Sequence, residues 1–118
     1  MRCLPLLLFS VLGTSFAASP AEEELTRRAK GDGSLIAMAQ FCNVSAPDIR
    51  LLASKTEAAA LQAAKSLDIQ FDSAAYRQHA LAGVQVTRQT LAYVPRSGQN
   101  YDSNCAEVRE KVATATTK

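Results

Sequence analysis

Apolar residues recur at helical spacing in three segments before Pro95, and no segment of the chain alternates apolar and polar residues as a half-buried strand does. The first segment ends near Asn43 and carries Leu35, Met38, Ala39 and Cys42, widened by Ile36 and Phe41. The second covers about residues 46–68, with a stripe of Ile49, Leu52, Ala53, Thr56, Ala60, Ala63 and Leu67. The third covers about residues 73–94, with a stripe of Tyr76, Ala80, Val84, Thr87, Leu91 and Val94. Each pattern predicts a helix that packs through one face.

Helix-capping residues set the expected starts and stops. Ser19 with Glu22 has the capping-box spacing and opens a charged first helix, which Gly31-Asp32-Gly33 is expected to end before a second helix begins at Ser34. Ser45 and Asp72 are suitable caps for the two long helices, and Pro95 stops the second of these.

A last helix is predicted after the loop 95–101. Asp102 or Ser103 is the expected cap, and Cys105, Val108 and Val112 then share one face. The Ala/Thr-rich residues that follow are expected to form a loose tail. The whole pattern predicts an all-α bundle of four to five helices.

The first seventeen residues have the features of a secretory signal peptide. Arg2 precedes an apolar run that is too short to span a bilayer, and Ser15-Phe16-Ala17 offers small residues at the cleavage positions. The mature chain is then expected to begin at Ala18 and to reach the periplasm or the outside of the cell. An uncleaved N-terminal anchor is the alternative, which the early end of the apolar run disfavours. Residues 18–118 form one predicted domain without a segment for stable membrane insertion.

Two cysteines remain after removal of the signal, namely Cys42 and Cys105. An even number of cysteines in an exported chain predicts a disulfide, and both lie on predicted apolar faces. A redox-active pair normally has Cys-x-x-Cys spacing, which these lack. Together with His79 they supply three possible zinc ligands without any zinc-site spacing, so no metal is expected.

No motif in the sequence demands a particular reaction. His79 follows Asp72 by two helical turns, but no nucleophile accompanies this possible relay. Carboxylate pairs drawn from Glu57, Asp68 and Asp102 have no specificity, and no phosphate-binding loop is present. We therefore expect neither enzymatic activity nor a cofactor.

Protein binding is the favoured function class. Net charge is +2 for the whole chain, and loss of Arg2 leaves it near neutral, which gives no general attraction to nucleic acid. Arg77, Arg88 and Arg96 form a modest basic side that suits an acidic partner or is simply solvated. Tyr93 and Tyr101 flank the loop before the last helix, and tyrosine and arginine are the residue types that interfaces favour. Tyr93, Arg96, Tyr101 and Arg88 are thus the candidate partner-binding residues, although a plain connecting loop explains the segment equally well.

Three functions fit these observations. The first is an exported non-enzymatic protein that binds another protein, such as an inhibitor, an immunity-type protector or a subunit of an envelope complex. The second is a periplasmic acid or stress chaperone that exposes apolar helix faces on partial unfolding. The third, an enzyme built around His79, is disfavoured. Asn43-Val44-Ser45 is a glycosylation sequon in a eukaryotic setting.

Overall fold

The computed structural model describes residues 18–117, which form four α-helices. These are α1 (Pro20–Phe41), α2 (Ala46–Ser66), α3 (Ser73–Leu91) and α4 (Gln99–Thr116). No residue from 18 to 117 forms a strand, so the predicted all-α bundle is confirmed. The predicted signal peptide, residues 1–17, lies outside the described residues.

The helix α1 is continuous through Gly31-Asp32-Gly33, so the predicted stop at these residues and the separate second helix from Ser34 are wrong. Gly33 is buried against the backbone of Ala80 in α3, and Gly83 of α3 is buried against the backbone of Lys30. The two glycines therefore let two helix backbones meet. A glycine costs a helix about 1 kcal/mol relative to alanine, and close packing of α3 offsets that cost here.

Local capping signals predicted the other boundaries in the first two-thirds of the chain. The capping box of Ser19 and Glu22 forms in both directions, and the side chains of Ser45 and Asp72 accept hydrogen bonds from the backbone N–H groups of Asp48 and Ala75. At their C-terminal ends, α1 and α2 both close with a 6→1 bond, from Val44 N to Ala39 O and from Ile69 N to Ala64 O. The residues in the left-handed region there are Asn43 and Asp68, as expected for this type of cap.

The connection between α3 and α4 differs from the prediction at both ends. The helix α3 ends at Leu91, not at residue 94. The residues after it lead to Pro95, which has no backbone N–H with which to continue a helix. The helix α4 begins at Gln99 after Gly98, whose φ of 97° lies in the region that favours glycine. The predicted cap at Asp102 or Ser103 is therefore wrong, since both residues already lie within the helix.

The C-terminal segment is helical up to Thr116, where a loose Ala/Thr-rich tail was expected. Two of its threonine hydroxyls bond to the preceding turn, since Thr116 Oγ1 donates to the carbonyl of Val112 at 2.8 Å and Thr114 Oγ1 to that of Glu110 at 3.0 Å. Threonine side chains that bond to the preceding turn thus satisfy their hydroxyl groups within the helix itself.

The helix α1 is the centre of the bundle, because it contacts each of the other three helices. One buried cluster surrounds the Cys42–Cys105 disulfide, which confirms the predicted pairing and joins α1 to α4 with a Cα–Cα distance of 5.4 Å. This cluster contains Ala39, Cys42, Leu52, Cys105, Val108 and Val112. A second cluster contains Ala29, Ala60 and Tyr76. Most buried side chains are small, so the core supplies limited hydrophobic stabilisation.

Burial agrees with the predicted stripes in part. Leu52, Thr56 and Ala60 of α2 are buried as predicted, whereas Ala53 is exposed and Leu67 is 39% exposed. In α3, Tyr76 and Val84 are buried, and Val94 lies beyond the end of the helix with 39% of its surface exposed.

Candidate functional site

Three of the four candidate partner-binding residues gather around the C-terminal end of α1. Arg96 Nη2 and Tyr101 Oη both donate to the carbonyl oxygen of Phe41, at 3.0 and 3.2 Å. Arg88 Nη2 donates to Oε1 of Gln40 at 2.7 Å. Arg96 and Tyr101 thus provide hydrogen-bond donors for a backbone carbonyl at the C-terminal end of α1. Both arginines also place a positive charge near the negative end of the helix macrodipole.

The side chain of Phe41 organises this end of the molecule. The Arg96 guanidinium carbon lies 5.0 Å from the centre of the Phe41 ring, within cation–π range. The ring of Tyr101 meets the same ring edge-on, with the centroids 5.5 Å apart, an arrangement that aromatic pairs prefer. Arg96 and Tyr101 are therefore held in place by one aromatic residue, which was predicted only as part of an apolar face.

Arg109 is a further cation at this end that the sequence analysis missed. Its Nη2 donates to the carbonyl oxygen of Cys42 at 2.7 Å. Arg109 lies only four residues after Cys105, and the disulfide brings that part of α4 beside the end of α1. The helical spacing from the cysteine could have identified it, because residues four apart share a face.

A shallow cleft of about 420 Å³ lies beside this cluster, between the ends of α1 and α3. We call it the arginine cleft, and its lining residues are Ala37, Gln40, Phe41, Arg88, Leu91, Ala92, Val94 and Arg96. Arg88 and Arg96 are the charged members of this lining, and no carboxylate belongs to it. The cleft thus combines an apolar wall with two guanidinium groups.

Tyr93, the fourth candidate, points away from these contacts. It is 93% exposed, although its chain neighbours Ala92 and Val94 line the arginine cleft. Its ring is therefore accessible to solvent beside the cleft.

A second exposed surface was missed by the sequence analysis. A strip of α3 outside its buried residues has no charged side chain of its own, and at Val86 it reaches the groove that α3 forms with Lys30, Gly31 and Ser34 of α1. We call this surface the outer face of α3, and it consists of Ala74, Gln78, Leu81, Gln85, Val86 and Gln89. Leu81 is 54% and Val86 is 63% exposed. Both apolar residues lie off the predicted inner stripe, so their positions were visible in the sequence, but their exposure was not.

The basic side predicted from Arg77, Arg88 and Arg96 is divided between two roles. Arg77 Nε donates to Oε1 of Glu57 at 2.9 Å and Arg77 Nη2 to Oε2 at 3.2 Å, which ties α3 to α2. The same carboxylate accepts from Ser73 Oγ at 3.0 Å. The Arg77 hydrogen bonds are the main reason why the pKa of Glu57 lies below its ordinary value. Of these three arginines, Arg88 and Arg96 bond to uncharged oxygens, those of the Gln40 side chain and the Phe41 backbone.

A polar contact inside the bundle links α1 to α3. The Tyr76 hydroxyl donates to Oδ2 of Asp32 at 2.7 Å. Burial raises the pKa of Asp32, an effect that the Tyr76 hydrogen bond and the charge of Arg28 oppose, and burial also raises the pKa of Tyr76. Asp32 therefore contributes to the contact between α1 and α3 and does not lie in the turn predicted at Gly31-Asp32-Gly33.

Replacing Glu57 by glutamine is expected to lower stability near neutral pH, with a difference from the wild type that disappears in acid. A carboxylate whose folded-state pKa is depressed contributes stability above its unfolded pKa, and this contribution is lost as pH falls through the folded value. The free energy of unfolding, measured with urea from about pH 7 down to about pH 3, checks this. Exposed Glu110→Gln is the control. Equal pH dependence of both variants and the wild type contradicts a role for the Glu57 charge.

The residues considered above as possible catalytic groups or metal ligands do not form a common site. The Asp72 carboxylate caps the N-terminal end of α3 by accepting a hydrogen bond from Ala75 N. His79 lies about two turns further along the same helix. Cys42 and Cys105 are joined to each other. Between residues 18 and 117, no three side chains among His, Cys, Asp and Glu converge as metal ligands do.

Comparison with known proteins does not assign a function to these surfaces. None of the helices in the described part of the chain has the length and apolar character needed to cross a bilayer. We consider the arginine cleft and the outer face of α3 as candidate functional surfaces. No protein-family model matches the chain, and neither does any curated protein or any solved structure.

Proposed function

We propose that this is an exported, non-enzymatic protein that binds another protein through the outer face of α3. An inhibitor, an immunity-type protector and a subunit of an envelope complex are functions of this kind. The observation that carries the proposal is an uncharged helix face on which Leu81 and Val86 are more than half exposed.

The composition of the outer face resembles the centre of a protein interface. Interfaces are distinguished by depletion of charged residues at their centre and by enrichment of aromatic residues. The face has no charged member, and the exposed ring of Tyr93 follows its C-terminal end. With 19 residues, α3 is about 28 Å long at 1.5 Å per residue. This length suits a partner helix or strand that lies along it.

The glutamines of the outer face support the same conclusion. Gln78, Gln85 and Gln89 each present a donor and an acceptor without a formal charge. Burial of such a group against a hydrogen-bonding partner avoids the large desolvation cost of an ion. A partner can therefore cover the whole face, including its polar positions.

Export is supported by the disulfide. Such bonds persist in oxidising compartments, and the Cys42–Cys105 bond holds two helices of a small core together. The apolar run before Ala18 favours the same compartment. We therefore propose that the partner is met in the periplasm or outside the cell.

Substitution of Leu81 by glutamate is expected to reduce capture of the partner at least about tenfold, because the new carboxylate would lose its hydration in the complex. The measurement is quantitative capture on oxidised protein of residues 18–118, with the bound species counted by mass spectrometry. Leu51→Glu is the matched control, since Leu51 is a similarly exposed leucine on α2.

Each result of this comparison has a definite meaning. Loss of one stoichiometric partner with Leu81→Glu and its retention with Leu51→Glu supports binding through α3. Equal retention by both variants contradicts the use of this face. Circular dichroism of both variants verifies that the helices remain formed.

An acid chaperone is the second candidate, and the Glu57 contacts favour it. Protonation of Glu57 weakens the described link from α2 to Arg77 and Ser73 of α3, so acid acts on the same helix that carries the outer face. Binding of an apolar-surface dye during the acid titration distinguishes the two functions. A chaperone shows dye binding and many partners below about pH 4, whereas a dedicated binder shows one partner at neutral pH.

A further inference from the structure

The arginine cleft holds two cations that no carboxylate of the described chain neutralises. Ion pairs occur between Arg27 and Glu24 and between Arg77 and Glu57, but neither Arg88 nor Arg96 has an acidic group within bonding distance. Their acceptors are the neutral oxygens of Gln40 and Phe41. The positive charge of the cleft is therefore left uncompensated apart from the partial charge of the α1 terminus.

Most of the donor capacity in the cleft is unused. A guanidinium has five N–H donors, and in the described contacts Arg88 and Arg96 each use one. The contact of Arg88 with Gln40 and the stacking of Arg96 on Phe41 hold both side chains in place. Two guanidinium groups that line one cleft and have donors to spare are suited to hydrogen-bond a planar anion.

The apolar residues that line the cleft indicate which kind of anion is suited to it. Phe41, Leu91 and Val94 contribute apolar surface beside the cations. A hydrated inorganic ion gains nothing from such surface, whereas a carboxylate on an aliphatic side chain places its methylene groups there and its oxygens on the guanidinium groups.

We propose that the arginine cleft binds an acidic side chain of the protein partner, a glutamate or aspartate next to an apolar residue. This inference rests on the proposed function, since Arg88 and Ala92 border the outer face of α3 and one partner can contact both surfaces. The outer face supplies the uncharged contact, and the cleft fixes its register at one end through charge.

The test is an NMR titration of the oxidised protein with the peptide acetyl-Leu-Glu-Leu-amide, observed at the arginine Nε–Hε signals. We expect saturable shifts at Arg88 and Arg96 that weaken as salt is added. The same peptide with glutamine in place of glutamate is expected to cause no such shifts. Arg50, exposed on α2, is the internal reference for non-specific attraction.

Three outcomes overturn the proposal. They are equal shifts with the glutamine peptide, equal shifts at Arg50, and a response to inorganic sulfate as strong as the response to the glutamate peptide. Arg88→Gln is expected to weaken peptide binding about tenfold, and Arg88→Lys about as much, because lysine keeps the charge but lacks the two-pronged geometry. Arg50→Gln is the matched variant and is expected to bind as the wild type does.

The experiment separates this inference from the proposed function. Leu81→Glu is expected to reduce partner capture at least about tenfold and to leave the peptide shifts at Arg88 and Arg96 intact. If peptide binding is absent while capture still depends on Leu81, the inference about the cleft is wrong and the proposed function stands. If peptide binding is present while capture ignores Leu81, the proposed interface is wrong.

Discussion

Replacement of Gly33 or Gly83 by alanine is expected to destabilise the protein by about 3 kcal/mol or more, a large part of the stability of a domain this small. A Cβ atom at Gly33 would lie far closer than 3.0 Å to the carbonyl oxygen of Ala80, and one at Gly83 would also lie well within 3.0 Å of the carbonyl oxygen of Lys30. Both obstructing atoms belong to helix backbones. They cannot rotate away, so α1 and α3 would have to separate.

The control for this prediction is Gly31→Ala in the same helix. A Cβ at Gly31 meets no atom within 4 Å, and alanine favours a helix by up to about 1 kcal/mol over glycine. The variant is therefore expected to be slightly more stable than the wild type. Urea denaturation of all three variants gives the comparison. If Gly33→Ala is as stable as Gly31→Ala, the two helices do not meet through their backbones.

These glycines also show why the sequence misassigned the first helix. Gly31-Asp32-Gly33 has the composition of a turn, and local propensity alone predicts a stop. What keeps α1 continuous is the approach of Ala80 in α3 and the hydrogen bond from Tyr76 to Asp32. Both contacts come from residues more than forty positions later in the chain. A tertiary contact of this kind overrides local propensity and leaves no local signal.

Features that depend on adjacent residues were predicted correctly. The caps at Ser19, Ser45 and Asp72 use hydrogen bonds that span three residues, so their spacing is visible in the sequence. The start of α4 was missed because its cap, Gly98, makes no side-chain hydrogen bond and acts through its backbone conformation alone. Asp102 resembled a cap but lies in the first turn, where its charge favours the helix N-terminus.

The candidate site was predicted only in its residue types. Tyrosine and arginine near a glycine-containing loop identified Arg96 and Tyr101, but not the carbonyl of Phe41 that gathers them. The outer face of α3 escaped detection because each helix was assigned a single apolar stripe. Leu81 and Val86 stood outside that stripe, and burial had to be known before their exposure became informative.

Loss of the disulfide, through Cys42→Ala together with Cys105→Ala, is expected to cost about 4 kcal/mol by the chain-entropy argument. The bond joins residues separated by 63 positions, so it restricts a large part of the unfolded chain. The native core offers little compensation. In the described part of α4, Val108 and Val112 are the buried residues besides Cys105, and the largest fully buried side chains of the bundle are Leu52 and Cys105.

The effect of losing the disulfide is expected to be greatest in α4 and at the end of α1. Without the bond, Arg109 loses its fixed position beside the carbonyl of Cys42, and backbone amides of α4 should exchange with solvent faster than those of α3, which the glycine contact still holds to α1. Hydrogen exchange with and without reductant measures this difference in the wild type. Reductant should have no effect on the double alanine variant, which serves as the control. Uniform acceleration over all four helices would instead mean that the bundle opens as one unit, and unchanged exchange in α4 would show that packing alone holds this helix.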